Sequence, residues 1–193
     1  MNKPNYKAAI SGAASQGKST LMKELTLSSA LAEYNFSFLT GVARGVGKYL
    51  PINEGGTFIT QFMIMSKHVE SCLQPGRRLT DRCALDVISY TNHHWEESDI
   101  SDEEMNVLTK AFEFCLGRLD RIFYIVPELP VEHDGERSTE KRFFDGSLDG
   151  FNFFLKCIKD NPEAKDKIVE IRGTVKERLA IIENTIKQDL EAG

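Results

Sequence analysis

The sequence predicts an α/β domain in which a five-stranded, mostly parallel sheet lies between two layers of helices. Short apolar runs alternate with helical periodicity along the chain of 193 residues. A loop of small residues joins the first apolar run to the first helix. The composition, 41% hydrophobic and 27% charged, is ordinary for a globular domain, so we expect one domain spanning residues 1–193.

Five short runs rich in apolar and β-branched residues predict the strands, because glycine, proline or charged residues bound each of them. The predicted strands cover residues 7–11, 36–40, 77–81, 121–126 and 167–173. In a parallel sheet of this class, ligands bind at the carboxyl ends of the strands. The segments after the strands should therefore share one rim, namely residues 12–20, 40–48, 81–82, 127–142 and 173–174.

Apolar residues spaced three to four apart predict the helices between the strands. The predicted helices cover residues 17–32, 57–73, 83–94, 101–116, 151–159 and 174–190. Ser101 and Glu104 form a capping box, and Thr174 is placed to cap the last helix. In the second helix we expect the stripe Phe58–Met65, including Phe62, to lie in the core, although Phe62 could instead touch a bound base.

Charge and cysteine content exclude several classes of protein. The net charge of -5 gives no electrostatic reason for tight, non-specific nucleic-acid binding, although a local basic channel is compatible with it. The four cysteines form no CxxC pair, which indicates free thiols in a reducing compartment. With no signal peptide and no apolar run of about 18 residues, we expect a cytoplasmic protein without a membrane partner. The sequence does not indicate whether the protein is a monomer or an oligomer.

The segment ISGAASQGKST contains Gly12-x4-Gly17-Lys18-Ser19, which fits the phosphate-binding P-loop. Glycines let the backbone N–H groups turn toward phosphate oxygens, and the helix that begins there adds its positive dipole end. Lys18 is predicted to reach the phosphates of ATP, and Ser19 to ligate Mg²⁺. Nucleotide-binding residues are predicted to be Gly12, Ala13, Ala14, Ser15, Gln16, Gly17, Lys18, Ser19, Thr20 and Thr174, the last beside the adenine.

The residues after the third strand distinguish among P-loop proteins. The chain has no NKxD-like base reader of a GTPase, and Asp81-Arg82 stands where motor ATPases usually carry two carboxylates. An aspartate followed by arginine is typical of nucleoside and nucleotide kinases. Asp81 is predicted to order Mg²⁺ or to accept the proton of the attacking hydroxyl, and Arg82 to hold an anionic acceptor or phosphate. The alternative is a surface ion pair.

A long polar segment, about residues 128–150, predicts a lid over the nucleotide. It carries Arg137, predicted to stabilise charge in the transition state, and Arg142, predicted to contact ATP. The alternative is a solvated charge run, because acidic residues are interleaved with these arginines.

The motifs occur in an order that resembles a known group over nearly the whole chain. The matching segments are residues 12–21, 43–50, 81–90, 122–138 and 171–179. They resemble the small P-loop kinases of the AAA type that include the ribosylnicotinamide kinase domain, and bacteriophage 5-hydroxymethyluracil DNA kinases resemble the same group. The resemblance implies a three-layer P-loop NTPase fold and ATP- and Mg²⁺-dependent transfer of the γ-phosphoryl group to a hydroxyl of a nucleoside-like acceptor.

The sequence does not identify the molecule that accepts the phosphoryl group. Relatives often carry a glutamate ahead of the arginine that matches Arg44, whereas residues 40–44 contain no carboxylate. Asp81 is therefore the first candidate for the catalytic base, and Asp86 is the second. Acceptor-binding residues are predicted to be Arg44, Lys48, Gln61, Arg82 and Asp86.

Two kinds of acceptor remain compatible with the sequence. One is a free nucleoside, a nucleotide or ribosylnicotinamide, and the other is a hydroxymethyl pyrimidine flipped out of DNA. For DNA, one basic rim is expected to comprise Arg44, Lys48, Arg77, Arg78 and Arg82. The alternative function is a nucleotide-binding regulatory module that transfers no phosphate.

Overall fold

The computed structural model describes residues 3–128 and 141–192. Within these ranges the chain forms a five-stranded sheet of order β2-β3-β1-β4-β5, in which every neighbouring pair is parallel. The strands are β1 (Tyr6–Ser11), β2 (Ser37–Leu39), β3 (Arg77–Asp81), β4 (Arg121–Ile125) and β5 (Ile168–Ile171). The predicted α/β fold and its five strands are therefore confirmed.

Helices connect the strands, and two short 3₁₀ turns lie at residues 53–55 and 165–167. The helices are α1 (Lys18–Leu27), α2 (Ser29–Ala32), α3 (Val42–Val46), α4 (Phe58–Leu73), α5 (Ala84–Glu96), α6 (Asp102–Arg118), α7 (Lys141–Asp160) and α8 (Val175–Ala192). The capping box of Ser101 and Glu104 is confirmed. The first predicted helix divides at Ser28, whose hydroxyl caps α2. Across the described ranges, none of these helices has the length and apolar character that crossing a membrane requires.

The two faces of the sheet bury separate cores, because successive side chains of a strand point to opposite faces. In β1, Ala9 packs in the core beneath α4, α5, α6 and α7, whereas Ala8 and Ile10 pack in the core beneath α1 and α8. In β4, Ile122 packs in the first of these cores and Phe123 in the second. The result is a three-layer arrangement with the sheet in the middle.

Helix α7 begins at Lys141, well before the predicted start at Phe151, and it packs closely on α5. A Cβ atom on Gly150 would lie 2.3 Å from the backbone oxygen of Ser89, so the contact requires glycine. This approach brings the Phe143 ring over Tyr90, with 5.7 Å between ring centroids. The part of the predicted lid at residues 141–150 is thus the first half of α7, and residues 129–140 lie outside the described ranges.

Helix α4 buries a more polar face than its sequence predicts. Phe62 is 41% exposed, so its expected place in the core is wrong. The buried face comprises Thr60, Gln61, Ile64, Met65, His68 and Ser71. A periodic apolar pattern cannot reveal this orientation, because part of the inward face borders a cavity rather than the core.

Asp189 fastens the last helix to the sheet. Its carboxylate accepts hydrogen bonds from the Tyr6 hydroxyl at 2.6 Å and from two nitrogens of Arg121 at 2.7 and 2.6 Å. Partial burial acts to raise the pKa of Asp189, but the hydrogen bonds from Arg121 and Tyr6 outweigh it and hold the pKa below its usual value. The carboxylate therefore favours the folded state when it is charged.

Asp189→Asn should lower the free energy of unfolding at pH 7 by about 2 kcal/mol, because it weakens charge-assisted hydrogen bonds. The stabilisation is present above the unfolded pKa of about 3.9 and is lost as the pH falls toward the lower folded value. Denaturant unfolding at several pH values measures both effects. Glu191→Gln, in an exposed ion pair on the same helix, is the control and should change little. Equal effects of the two variants at pH 7 would contradict this account.

Candidate active site

The segments that follow the strands meet at one edge of the sheet. Residues 15–19, residues 41–44 after β2, and Asp81 and Arg82 after β3 line a common cavity, together with Ile52 and Asn53. We call this the phosphate-loop cavity. Residues 127 and 128 after β4 and residues 173 and 174 after β5 lie at the same edge, because Glu128 contacts both Gln16 and Gly173. Residues 15–19, 41–44, 81–82, 127–128 and 173–174 therefore lie at one edge as predicted, whereas Lys48 and Arg142, which the predicted rim also included, do not line the phosphate-loop cavity.

The backbone of the loop requires glycine where it passes β4. Gly12 has a φ of 140°, and a Cβ atom there would lie 2.8 Å from the backbone oxygen of Ile125. Lys18 is the first residue of α1, and its ammonium donates to the backbone oxygens of Gly12, at 2.6 Å, and Ala13. The lysine thus lies along the inside of the loop, where phosphate oxygens would replace these carbonyls as its partners.

A buried arginine holds the loop from behind, and sequence reasoning missed its role. Arg178, on α8, donates to the backbone oxygen of Gln16 at 2.8 Å and to Glu128 at 3.0 Å. The backbone N–H of Glu128 donates to the Gln16 side chain at 2.8 Å. The Glu128 carboxylate also accepts from the N–H of Gly173, which lowers the pKa of Glu128. We call Gln16, Glu128, Gly173 and Arg178 the loop clamp.

A second opening lies on the other side of the loop. It is lined by Ser15, Gly17, Ser19, Thr20, Glu128, Gly173, Thr174, Val175, Glu177 and Arg178. Thr174 forms a capping box with Glu177, since its N–H and hydroxyl donate to that carboxylate at 2.8 Å. Thr174 therefore caps α8 and borders this opening, the position that the sequence predicts for a residue beside the adenine.

Asp81 and Arg82 end β3 beside the loop. The backbone of Arg82 has a φ of 72°, a conformation that favours glycine, and its N–H donates to the Ile10 oxygen at 2.8 Å. This turn directs the guanidinium to Asp86, at 3.3 Å, and over the ring of Tyr90. Burial raises the pKa of Asp81, against the effect of the neighbouring Arg82 and Lys18. Asp81 is thus closer to accepting a proton near neutral pH than an exposed aspartate.

A second cavity adjoins the phosphate-loop cavity, and we call it the acceptor cavity. The two share Ala43, Ile52, Asn53 and Arg82 as a common wall. The other lining residues are Ala14, Thr60, Gln61, Ile64, His68, Asp86, Val87, Tyr90, Phe143, Phe144 and Ser147. An apolar, aromatic lining with a few polar groups is typical of a site for a small organic ligand.

The structure brings most of the predicted site residues together. Lys18, Ser19, Arg44 and Asp81 line the phosphate-loop cavity, Gln61 and Asp86 line the acceptor cavity, and Arg82 lines both. Asp86 also completes a capping box at the start of α5, where it accepts from the N–H of Cys83 at 3.0 Å.

Three predicted residues are not brought to these cavities by the described parts of the chain. Lys48 is exposed after α3 and is not among the lining residues. Arg142, in the first turn of α7, pairs with Glu97 at the end of α5. Arg137 lies outside the described residues. Their assigned roles remain predictions.

The expected basic rim for DNA is wrong in two of its members. Arg77 and Arg78 begin β3, and Arg77 pairs in register with Tyr6 at the start of β1. In a parallel sheet, the first residues of a strand lie at the edge opposite its carboxyl end. Arg77 donates there to the backbone oxygens of Lys3 and Tyr34, and Arg78 to Ser37. These arginines therefore support the far edge of the sheet.

The residues present fit a magnesium ion bound together with a nucleotide. The Ser19 hydroxyl and the Asp81 carboxylate line one cavity and supply the oxygen ligands that Mg²⁺ prefers. Among residues 3–128 and 141–192, no group of three or more histidine, cysteine, aspartate or glutamate side chains could hold a metal by itself. Such sparse protein ligation is usual where phosphates and water supply the other ligands.

Together, the five parallel strands, the loop between β1 and α1 and the two adjoining cavities define the fold of the small P-loop kinases. The sequence profile of the AAA domain family matches residues 7–178, and the chain belongs to this family. A comparison with curated protein sequences finds no match.

Solved structures with the same fold include several kinases. The NadR protein in complex with NR has a TM-score of 0.71 and 17% identity over 97% of this chain, which spans 52% of the NadR chain. Thymidylate kinase from Candida albicans has a TM-score of 0.64 and 16% identity, covering 96% of this chain and 92% of that one. Deoxyadenosine kinase from M. mycoides has a TM-score of 0.63 and 14% identity, covering 95% and 99%.

Arg178→Met should weaken ATP binding roughly tenfold or more, because the loop loses two charge-assisted hydrogen bonds from the clamp. Calorimetric titration with ATP and Mg²⁺ measures the dissociation constant, and thermal unfolding reports whether the fold survives. Lys176→Ala, an exposed cation on the same helix, is the control. An unchanged ATP affinity in a folded Arg178→Met protein would show that the clamp does not set the shape of the loop.

Proposed function

We propose that the chain is an ATP- and Mg²⁺-dependent kinase that transfers the γ-phosphoryl group to a hydroxyl of a nucleoside-like acceptor. The observation that carries this proposal is the common wall between the phosphate-loop cavity and the acceptor cavity, with Arg82 at the junction. A protein that only sensed nucleotide would have no need of a second, aromatic-lined cavity beside its phosphate site. The kinase folds of the similar structures support the same conclusion.

The site residues would act by positioning and electrostatics. Lys18 and the loop N–H groups would hold the phosphates, and Arg82 would stabilise negative charge between donor and acceptor. Ser19 would ligate Mg²⁺, which when bound neutralises phosphate charge, and Asp81 would reach the ion only through water, so that its carboxylate stays free to accept a proton. In the transfer, a bond forms between the acceptor oxygen and the γ-phosphorus, the bond to the β-γ bridging oxygen breaks, and ADP leaves.

Asp81 is the proposed acceptor of the hydroxyl proton. Its raised pKa suits a group that must be ionised before the reaction and take up a proton during it. Asp86 is less suited to this role, because its carboxylate already holds Arg82 and the Cys83 N–H. As the acceptor oxygen bonds to the γ-phosphorus, its proton becomes strongly acidic and passes to the Asp81 carboxylate, so a single carboxylate is sufficient.

Two classes of acceptor fit the proposal. One is a free nucleoside or nucleotide, and the other is the hydroxymethyl group of a modified pyrimidine in DNA. Arg44 and Arg82, at the phosphate-loop cavity, could contact a DNA backbone, whereas Arg77 and Arg78 lie at the other edge of the sheet. The acceptor assay below distinguishes these classes directly.

Lys18→Ala should lower phosphoryl transfer by about 100-fold or more, because the phosphates lose their buried cation. The assay uses γ-labelled ATP, Mg²⁺ and a panel of acceptors: nucleosides, nucleoside monophosphates, ribosylnicotinamide, and DNA with or without hydroxymethyluracil. Lys23→Ala, an exposed lysine on the same helix, is the control.

Label on a small molecule would identify a metabolite kinase, and label on modified DNA alone a DNA-modifying kinase. ATP binding without transfer to any acceptor would contradict the kinase proposal and favour a nucleotide-binding regulatory module.

Asp81→Asn and Asp86→Asn separate the two candidate bases. If Asp81 accepts the proton, Asp81→Asn should lower kcat by about 10²- to 10⁴-fold while the melting temperature changes little. Asp86→Asn should lower the melting temperature, because it weakens the capping box of α5 and removes the carboxylate that forms an ion pair with the Arg82 guanidinium. The reverse pattern, with kcat lost mainly in a folded Asp86→Asn protein, would assign the base to Asp86.

A further inference from the structure

His68, one of the residues that line the acceptor cavity, carries a buried polar atom whose presence the rest of the fold does not explain. His68, on α4, is 2% exposed, and its Nε2 atom has no hydrogen-bond partner among the described residues. Gln61 lies seven residues earlier on the same buried face of the helix and also lines the cavity. A buried polar atom without a partner destabilises the fold, so its retention points to a partner that binds there.

The space available to that partner lies on the acceptor side. His68 also borders a small cavity lined by Cys72, Cys83 and Cys115, but this cavity holds only about 10 Å³, no more than a single water requires. The acceptor cavity holds about 80 Å³ and shares a wall with the phosphate-loop cavity. A ligand large enough to be phosphorylated can therefore reach His68 only from the acceptor cavity.

The charged side chains that line the acceptor cavity near His68, among the described residues, are already paired with each other. Burial, and to a lesser degree Arg82, lower the pKa of His68 to about 4, so the imidazole is neutral at pH 7. Of the described lining residues, Arg82 and Asp86 carry the formal charges, and they pair with each other at 3.3 Å. The guanidinium also lies over one face of Tyr90, at 5.4 Å from the ring centroid. The lining thus offers no unmatched carboxylate to a cationic ring.

We propose that His68 hydrogen-bonds the polar edge of an uncharged heteroaromatic base, and that the acceptor cavity selects such a base over a cationic pyridinium ring. Apolar and aromatic walls, including Phe143 and Ile64, would enclose the ring, and the buried imidazole would read its edge. This inference rests on the proposed kinase function and narrows its substrate class. It applies equally to a free nucleoside and to a base flipped out of DNA, because only the base enters the argument.

The test compares wild-type protein with His68→Phe, which keeps an aromatic ring without polar atoms, and His68→Gln, whose amide can reach the position of Nε2. The acceptors are 5-hydroxymethyl-2′-deoxyuridine, thymidine, a hydroxymethyluracil oligonucleotide and cationic nicotinamide riboside. In His68→Phe, the KM for a neutral acceptor should rise at least about tenfold with little change in ATP affinity, and His68→Gln should recover much of the loss.

Lys67→Ala, an exposed neighbour on the same helix, is the control and should leave KM unchanged. An unchanged KM in a folded His68→Phe protein would overturn the role of His68. More efficient phosphorylation of nicotinamide riboside than of every neutral acceptor would overturn the selection of an uncharged base.

A binding measurement shows whether the proposed role of His68 fails or only the kinase proposal fails. If no acceptor is phosphorylated, calorimetric titration of the same nucleosides into wild type and His68→Phe still measures recognition. Binding of a neutral nucleoside that His68→Phe weakens would support the inference although the protein is not a kinase. Absence of binding by any probe, or equal binding by both proteins, would overturn it.

Discussion

The loop clamp is the interaction on which the rest of the site depends. Arg178 is buried in the first turn of α8, a helix far along the chain from the loop that its guanidinium supports. It neutralises Glu128 and fixes the backbone of Gln16, while the Gln16 side chain returns a hydrogen bond to the Glu128 backbone. The loop is therefore preorganised by the folded sheet and α8, and the binding of phosphate need not order it.

The two halves of the site lie on different elements and meet at one residue. In the proposed function the loop after β1 binds phosphate, whereas α4, α5 and α7 line the acceptor cavity. Arg82 joins them because its left-handed backbone turns the side chain away from the line of β3. Such a conformation is costly for a residue other than glycine, and the hydrogen bond to the Ile10 oxygen and the ion pair with Asp86 hold it in place.

The features that the sequence predicts well are those that depend on residues close together in the chain. Five strands, the phosphate loop and the capping box at Ser101 each depend on spacings within a few positions. The loop clamp was missed because Arg178 resembles any charged residue of an amphipathic helix until α8 packs beside the loop. The burial of Phe62 was predicted wrongly because the apolar period of α4 does not reveal a cavity on its inward side.

One error had a signal that could have prevented it. Arg77 and Arg78 stand at the start of a parallel strand, and the start of such a strand lies opposite the rim that carries ligands. Strand direction alone therefore separates them from Arg82 at the other end of β3. The longer α7 was missed although its buried residues, such as Phe143, Ser147 and Phe151, recur at helical spacing, because Gly146 and Gly150 indicate a loop until α5 packs against them.

The close contact between α5 and α7 also limits how this protein can diverge. Since a Cβ atom on Gly150 would lie 2.3 Å from the backbone oxygen of Ser89, the two helices can keep their close spacing only with glycine at position 150. The acceptor cavity can be enlarged or reshaped by exchanging side chains of α4, such as Gln61, Ile64 and His68. New acceptor preferences can thus evolve, or be engineered, by exchanging residues on one helix, while the elements that handle phosphate stay unchanged.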